Sequence, residues 1–152
     1  MDQELQIRLA NLKDVERIFH LSNDPVVRAC SIQNKPITWD SHKVWFQNAI
    51  TNPCHRFYVV ENSGGEFVAQ VRFKLQGTQW ITSISIHSDF RAKGLGVKIL
   101  NLALTQMPQQ NFLAYVKKQN VPSLCIFYKA GFICNGEAFI KNELYKVFSY
   151  ES

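Results

Sequence analysis

The stretch Ile84-Ser85-Ile86-His87-Ser88-Asp89-Phe90-Arg91-Ala92-Lys93-Gly94-Leu95-Gly96 decides how this chain folds. Ile84 and Ile86 alternate with Ser83 and Ser85, the period of a strand with one apolar face. From Gly94 to Met107 the apolar residues Val97, Leu100, Leu104 and Met107 recur at helical spacing, and Pro108 closes the run. A strand therefore enters a helix through a loop with two glycines. Such a helix start presents unpaired N–H groups and a partial positive charge, which suits an anion. Gly94 and Gly96 let the backbone approach a phosphate closely. Arg91 and Lys93 add charge to the same rim. A dinucleotide fingerprint needs a third glycine where Ile99 stands, and a Walker loop needs a Gly-Lys-Ser/Thr that is absent.

Upstream, Leu5–Leu9 alternates as a short strand. Lys13-Asp14-Val15 opens a helix with Val15, Ile18, Phe19 and Leu21 apolar. Asn23-Asp24-Pro25 stops it, because proline disfavours helix at the preceding residue. Val26–Pro36 reads as irregular. Thr38 caps a second helix carrying Trp39, Val44, Trp45, Phe46 and Ile50, which Asn52-Pro53 ends. Arg56–Glu61 and Phe67–Leu75 form a hairpin through Ser63-Gly64-Gly65, and Gly77-Thr78 turns the chain into Trp80–Ile86. Downstream, Phe112–Val116 is a strand. Asn120–Ala130 is a helix with Pro122 in its first turn and Gly131 at its end. Phe132–Ala138 and Glu143–Tyr150 close the chain as a hairpin through Ile140–Asn142. This order mixes antiparallel and parallel pairing, so the class is α/β, of the mixed α+β kind. The 152 residues suit one domain, 1–152.

A formal net charge of +5 favours an anionic partner. The longest basic run is Lys117-Lys118, too short for a nucleic-acid footprint, so a small phosphorylated ligand fits better. Cys30, Cys54, Cys125 and Cys134 make no C-x-x-C pair, so no metal is expected, and reduced thiols suit a cytoplasmic protein. There is no N-terminal apolar run and no stretch of membrane-spanning length, so no membrane is expected as a partner.

The pattern Arg91-x-x-Gly94-x-Gly96 after a strand resembles motif A of the GNAT superfamily of N-acetyltransferases. The run Asn120-Val121-Pro122-Ser123-Leu124-Cys125-Ile126-Phe127-Tyr128-Lys129-Ala130-Gly131-Phe132 is similar to motif B of that superfamily, at the expected helix-plus-strand distance. The resemblance covers nearly the whole chain. Asn23–Arg28, Ser31, Pro36–Trp39, His42, Trp45-Phe46, Gln70–Phe73 and Ser83–Ile86 look like the branch that acetylates nucleotide-linked amino sugars, as in pseudaminic or legionaminic acid synthesis.

The resemblance implies a mostly antiparallel twisted sheet of about seven strands flanked by four helices, with the fourth and fifth strands splayed. Acetyl-CoA is the implied cofactor. Backbone groups of Ile84 and Ile86 would bond its pantetheine, and Arg91, Ala92, Lys93, Gly94, Leu95, Gly96 and Val97 would hold its pyrophosphate. Asn120 and Ser123 match further cofactor contacts. Tyr128 matches the aromatic that protonates the departing thiolate. The base is His87 by preference, with Glu61, Asp24 and His42 also considered, since Ile81 stands where the family often has glutamate. Ala92 replaces a usual glycine, which is acceptable at negative φ, and Ser88 replaces a frequent proline. The acceptor would lie among Asn23, Asp24, Arg28, Ser31, His42, Trp45, Gln70 and Arg72. There Arg28 and Arg72 could clamp a diphosphate and Trp39 or Trp45 could stack on a base or sugar. Each of these also has an ordinary structural reading, as helix stop or core.

The expected activity is acetyl transfer to a primary amine, first of all that of a nucleotide sugar, in a ternary complex. A protein N-terminal or small-amine acetyltransferase is the alternative, and a non-catalytic CoA-binding module the third reading. A lysine-like amine needs about 4.6 kcal/mol to be neutral at pH 7 and an α-type amine only about 1.4 kcal/mol, which favours the more acidic amines. A homodimer is a possible assembly.

Overall fold

The computed structural model describes residues 4–152. Seven strands form one sheet: β1 (Leu5–Leu9), β2 (His55–Asn62), β3 (Phe67–Gln76), β4 (Gln79–Ile86), β5 (Asn111–Lys117), β6 (Ile133–Ile140) and β7 (Glu143–Glu151). Their order is β1-β2-β3-β4-β5-β7-β6. Every neighbouring pair is antiparallel except β4 and β5. Among the described residues five α-helices accompany them: α1 (Val15–Ser22), α2 (Pro25–Cys30), α3 (Trp39–Thr51), α4 (Gly96–Thr105) and α5 (Val121–Lys129).

The fifth helix corrects the sequence reading, which left Val26–Pro36 irregular and counted four helices. Pro25 ends α1 and also opens α2. It sits in the first turn, where no N–H is needed, and the Asp24 side chain accepts from Val26 N at 2.9 Å. Helix α4 starts at Gly96 rather than Gly94, because Gly94 has φ +72°. The β6–β7 hairpin turns at Lys141 and Asn142, both at positive φ, as a two-residue turn that matches strand twist requires.

The sheet buries both faces. On one, Ala69, Val71 and Phe73 of β3 with Phe112 and Ala114 of β5 pack against Ile99, Leu100 and Ala103 of α4 and Phe127 of α5. On the other, Phe57 and Val59 of β2 meet Ile18 of α1 and Phe46 of α3. Burying each such side chain stabilises the fold by about 1.5–3 kcal/mol. Among the described residues no helix is long and apolar enough to cross a membrane.

Candidate active site

Strands β4 and β5 run parallel and bonded only from Gln79–Asn111 to Ile81–Leu113, then part. Beyond that point β4 stays paired with β3 as far as Ile86, and β5 with β7 as far as Lys117. His87 N donates to Val68 O at 2.8 Å, which fixes the phase of the antiparallel ladder. In that phase Ser83 and Ser85 turn their N–H and C=O groups to β3, and Ile84 and Ile86 turn theirs into the gap. Such backbone groups need partners when water is excluded. The Ile86 carbonyl has one in Arg91 Nε, at 2.9 Å. The Ile86 N–H and both groups of Ile84 face the gap. A cavity of about 810 Å3 follows it, from α2 and Trp45 across the sheet to the start of α4 and the inner side of α5.

The loop into α4 is built to leave N–H groups open. Leu95 caps α4 without a side-chain hydrogen bond, so no side chain satisfies the first-turn amides as an N-cap would. Ala92 has φ +58° and Gly94 φ +72°. The condition under which alanine is acceptable at this position, a negative φ, is therefore not met. The chain folds back twice within three residues, and the left-handed conformation at Ala92 costs about 1–2 kcal/mol. Gly96 is required by proximity, since a Cβ there would lie 2.3 Å from Ile126 Cδ1 on α5. Arg91 does not add its charge to the rim. Its guanidinium bonds Ile86 O and lies 3.1 Å from Asp24 Oδ1, tying the loop to the cap of α2. Lys93 Nζ is exposed, 5.7 Å from the Phe90 ring centroid. Asn120 Oδ1 accepts from Ser123 N at 3.3 Å, so Asn120 is the N-cap of α5, and both residues line the cavity.

On the opposite face from α4, the expected acceptor residues divide into props and walls. Asn23 exchanges two hydrogen bonds with Ile37, both 2.8 Å, and holds the loop after α2. Burial would raise the Asp24 carboxyl, but Val26 N–H and the Arg91 guanidinium outweigh it and hold it below the usual range. Arg28 lines the cavity while donating to Ser22 O at 2.6 Å and Gln33 O at 2.7 Å. Ser31 also lines it, and its hydroxyl donates to Val27 O. Gln70 is buried and not part of the cavity wall, with Nε2 3.3 Å from Ser22 Oγ and Oε1 without a partner. Arg72 lies 5.1 Å from the Trp45 ring centroid and 5.8 Å from that of Phe57, and its Nε is buried without a hydrogen bond. Burial and nearby Arg28 pull the Arg72 pKa down to about 10, so it stays charged at neutral pH. Arg28, Arg56, Arg72, Lys74, Arg91 and Lys129 all line the cavity, and no Asp or Glu does.

Four expected residues lie elsewhere. Tyr128 is 51% exposed, packs edge-on against Phe148 and is absent from the cavity wall, because α5 turns Ser123, Ile126 and Phe127 inward instead. His87 accepts from Asp89 N at 3.2 Å and caps the short turn Ser88–Phe90, outside the wall. His42 is buried in the aromatic core, stacked on Phe46, with Nε2 donating to Val15 O at 2.9 Å. Glu61 is held by Arg8 at 3.0 Å and Arg17 at 2.8 Å. The wall also carries Tyr115 and His55, which the sequence reading passed over. Tyr115 alternates with buried Ala114 and Val116, so a period-two reading of β5 already puts it on the Arg72 face. His55 was lost by starting β2 one residue late. Burial, then Lys74 and Arg72, push its pKa below the ordinary imidazole value.

Comparison with known proteins gives the same picture. The model of the Acetyltransferase (GNAT) family matches residues 16–132. Spermidine N-acetyltransferase from Vibrio cholerae, solved with CoA and spermine, superposes with TM-score 0.86 at 18% identity, over 97% of this chain and 95% of that one. A protein provisionally described as a phosphinothricin N-acetyltransferase superposes with TM-score 0.81 at 25% identity, over 97% and 98%. A dodecameric form of the Vibrio cholerae enzyme superposes with TM-score 0.77 at 18% identity, over 97% and 93%. No curated protein sequence matches.

Proposed function

Because this chain belongs to the acetyltransferase (GNAT) family, we propose that it acetylates the primary amine of a small molecule held on the α2 side of the β4–β5 gap. It is an acetyltransferase, and its cofactor is acetyl-CoA. The observation that carries the reading is the parting of β4 from β5 just before a helix start without a side-chain cap.

The residues fit that cofactor. The amides from Arg91 to Val97 would hold its pyrophosphate, and Ile84 and Ile86 N–H groups would align the arm along β4. Bound there, acetyl-CoA supplies a thioester carbonyl for the amine to attack and a thiolate to leave. A backbone N–H in the gap would donate to the carbonyl oxygen as charge develops on it.

The amine must be neutral to react. With Arg91 offset by Asp24, the other five cationic side chains around a cavity without carboxylates in its wall disfavour an ammonium ion there and favour the thiolate. Their field does part of the work of a base. His55, held neutral, takes the proton through water. This arrangement suits amines that ionise easily and places no demand on Tyr128. The small-amine reading is preferred to the nucleotide-sugar one, since the similar structures are named for spermidine and phosphinothricin.

The test is release of free thiol from acetyl-CoA by the purified protein. The panel is phosphinothricin, α-amino acids, spermidine, a peptide N-terminus and a nucleotide-linked amino sugar, with products identified by mass. Amine-dependent release with an acetylated small amine is expected. Tight CoA binding with no transfer to any amine would overturn the reading in favour of a binding module.

A further inference from the structure

We propose that Arg72 is the anion receptor of the acceptor site, so that the amine this protein acetylates carries a carboxylate or a phosphoryl-type group. The inference rests on the acetyltransferase reading above and narrows its acceptor.

Among the described residues Arg72 is the arginine of the cavity wall with neither a counter-charge nor a carbonyl partner, while Lys74 and Lys129 are exposed to water. Arg91 is matched by Asp24 and the Ile86 carbonyl. Arg28 is spent on carbonyls of the α2 loop, and Arg56 donates to Pro53 O. Arg72 makes two ring contacts, with Trp45 and Phe57, and no ion pair or hydrogen bond among the described residues. Ring contacts use none of the guanidinium's N–H donors, which are the part that grips a carboxylate or phosphate in two parallel bonds. Arg72 is partly buried, and its buried Nε–H left in that state is costly unless a ligand completes it.

Its position is that of an acceptor group. Arg72 alternates with Val71 and Phe73, which pack toward α4, so it lies on the face opposite the proposed pyrophosphate loop. It is in register with Ser83, where β4 has just left β5. Two residues along the same face, Gln70 Oε1 is a second buried polar atom without a partner. With Arg91 offset by Asp24, a cavity with five further cations and no carboxylate in its wall also repels a polyamine, although the fold is shared with a spermidine enzyme.

The experiment compares each anionic amine with its own uncharged form. Saturating acetyl-CoA is used with glutamate and phosphinothricin for the carboxylate arm, an aminoalkylphosphonate for the phosphoryl arm, a nucleotide-linked amino sugar for the diphosphate arm, spermidine, and the amide or ester of each acid. The expected result is kcat/KM at least tenfold higher for an anion than for its neutral counterpart. Arg72→Met should reduce that ratio by about ten- to a hundredfold, the worth of a charge-assisted hydrogen bond, chiefly through KM. Arg72→Lys should restore part of it. A preference for spermidine, or a ratio untouched by Arg72→Met, overturns the proposal while leaving the acetyltransferase reading intact. If Arg72→Met does not fold, the wild-type Arg72 Nε–H resonance is followed by NMR as malonate or inorganic phosphate is added to the CoA-saturated protein. A saturable shift supports the receptor even if every amine proves inert, an outcome that would remove only the acetyltransferase reading. No shift removes the receptor.

Discussion

Gly96→Ala adds a single methyl group at the contact between α4 and α5. Its Cβ would stand 2.3 Å from Ile126 Cδ1, 2.6 Å from Cγ1 and 3.5 Å from Ile86 Cδ1. Carbon atoms rest at about 3.5–4.0 Å, so Ile126 must retreat by about 1.2 Å or more. A β-branched side chain in a helix has one strongly preferred χ1 and little room to do so. Overpacking of this kind costs about 1–3 kcal/mol, and the better helix propensity of alanine offsets up to about 1 kcal/mol of it. A net loss of about 1–2 kcal/mol lowers Tm by about 2–8 °C in a chain of this length. Ile126 also lines the cavity, so its displacement should raise the KM for acetyl-CoA several-fold. Calorimetry and initial rates on Gly96→Ala, Ile126→Ala and the double variant separate the contact from its surroundings. The double variant should be more stable than the two single losses predict by about 1 kcal/mol or more. A Gly96→Ala protein as stable as the wild type, or single losses that simply add, refutes the close approach.

Ala92→Gly relieves a left-handed alanine worth about 1–2 kcal/mol and gives back about 0.4–1 kcal/mol of unfolded-chain entropy. Denaturant unfolding should therefore show a gain of about 0.5–1 kcal/mol, and any loss would mean that the loop does not adopt this turn. Tyr128→Phe should leave kcat within about twofold of wild type, since the hydroxyl lies outside the cavity wall; a tenfold loss in steady-state assays would return it to the chemistry. Burial first, and Arg72 after it, hold the His42 pKa in the folded state below the ordinary 6.5, against the Val15 carbonyl that raises it. The unfolded chain thus takes up this proton first. The contribution of His42 is intact above about pH 6.5 and declines as the pH falls toward the lower folded-state value. Urea midpoints across about pH 5–8 should show that decline in the wild type and a shallower one in His42→Phe. Identical slopes would contradict the buried, neutral ring.

The fold was legible because its signals are local and of different periods. The switch from Ser83–Ile86 alternation to the spacing of Val97, Leu100 and Leu104 marks strand and helix, and Asn120 with Gly131 brackets α5 as cap and stop. The helix α2 was missed because Pro25 was read only as a terminator, whereas a first-turn proline preceded by an aspartate cap begins a helix as readily. The proposed cofactor side was readable from spacing, since it consists largely of backbone groups whose direction follows from strand register. The acceptor side was not, since it depends on which way each side chain points. Tyr128 and Phe127 are neighbours in sequence but sit 100° apart around α5, and only packing chooses between them. His42 could be a base or a core ring by composition, and what holds it among the aromatic rings is a hydrogen bond to Val15 O, a contact 27 residues away. Arg72 was named as one half of a clamp with Arg28; the structure shows Arg28 occupied by the α2 loop and Arg72 without a counter-charge.

The account turns on the backbone of β4 where β5 has left it. Hydrogen exchange at single-residue resolution measures it directly, comparing Ile84 and Ile86 with Ser83 and Ser85, without and with CoA. Ser83 and Ser85, bonded to β3, should be protected in both states, while Ile84 and Ile86 exchange readily alone and slow at least tenfold once CoA is bound. CoA binding that leaves Ile84 and Ile86 unchanged would place the cofactor elsewhere and contradict the account.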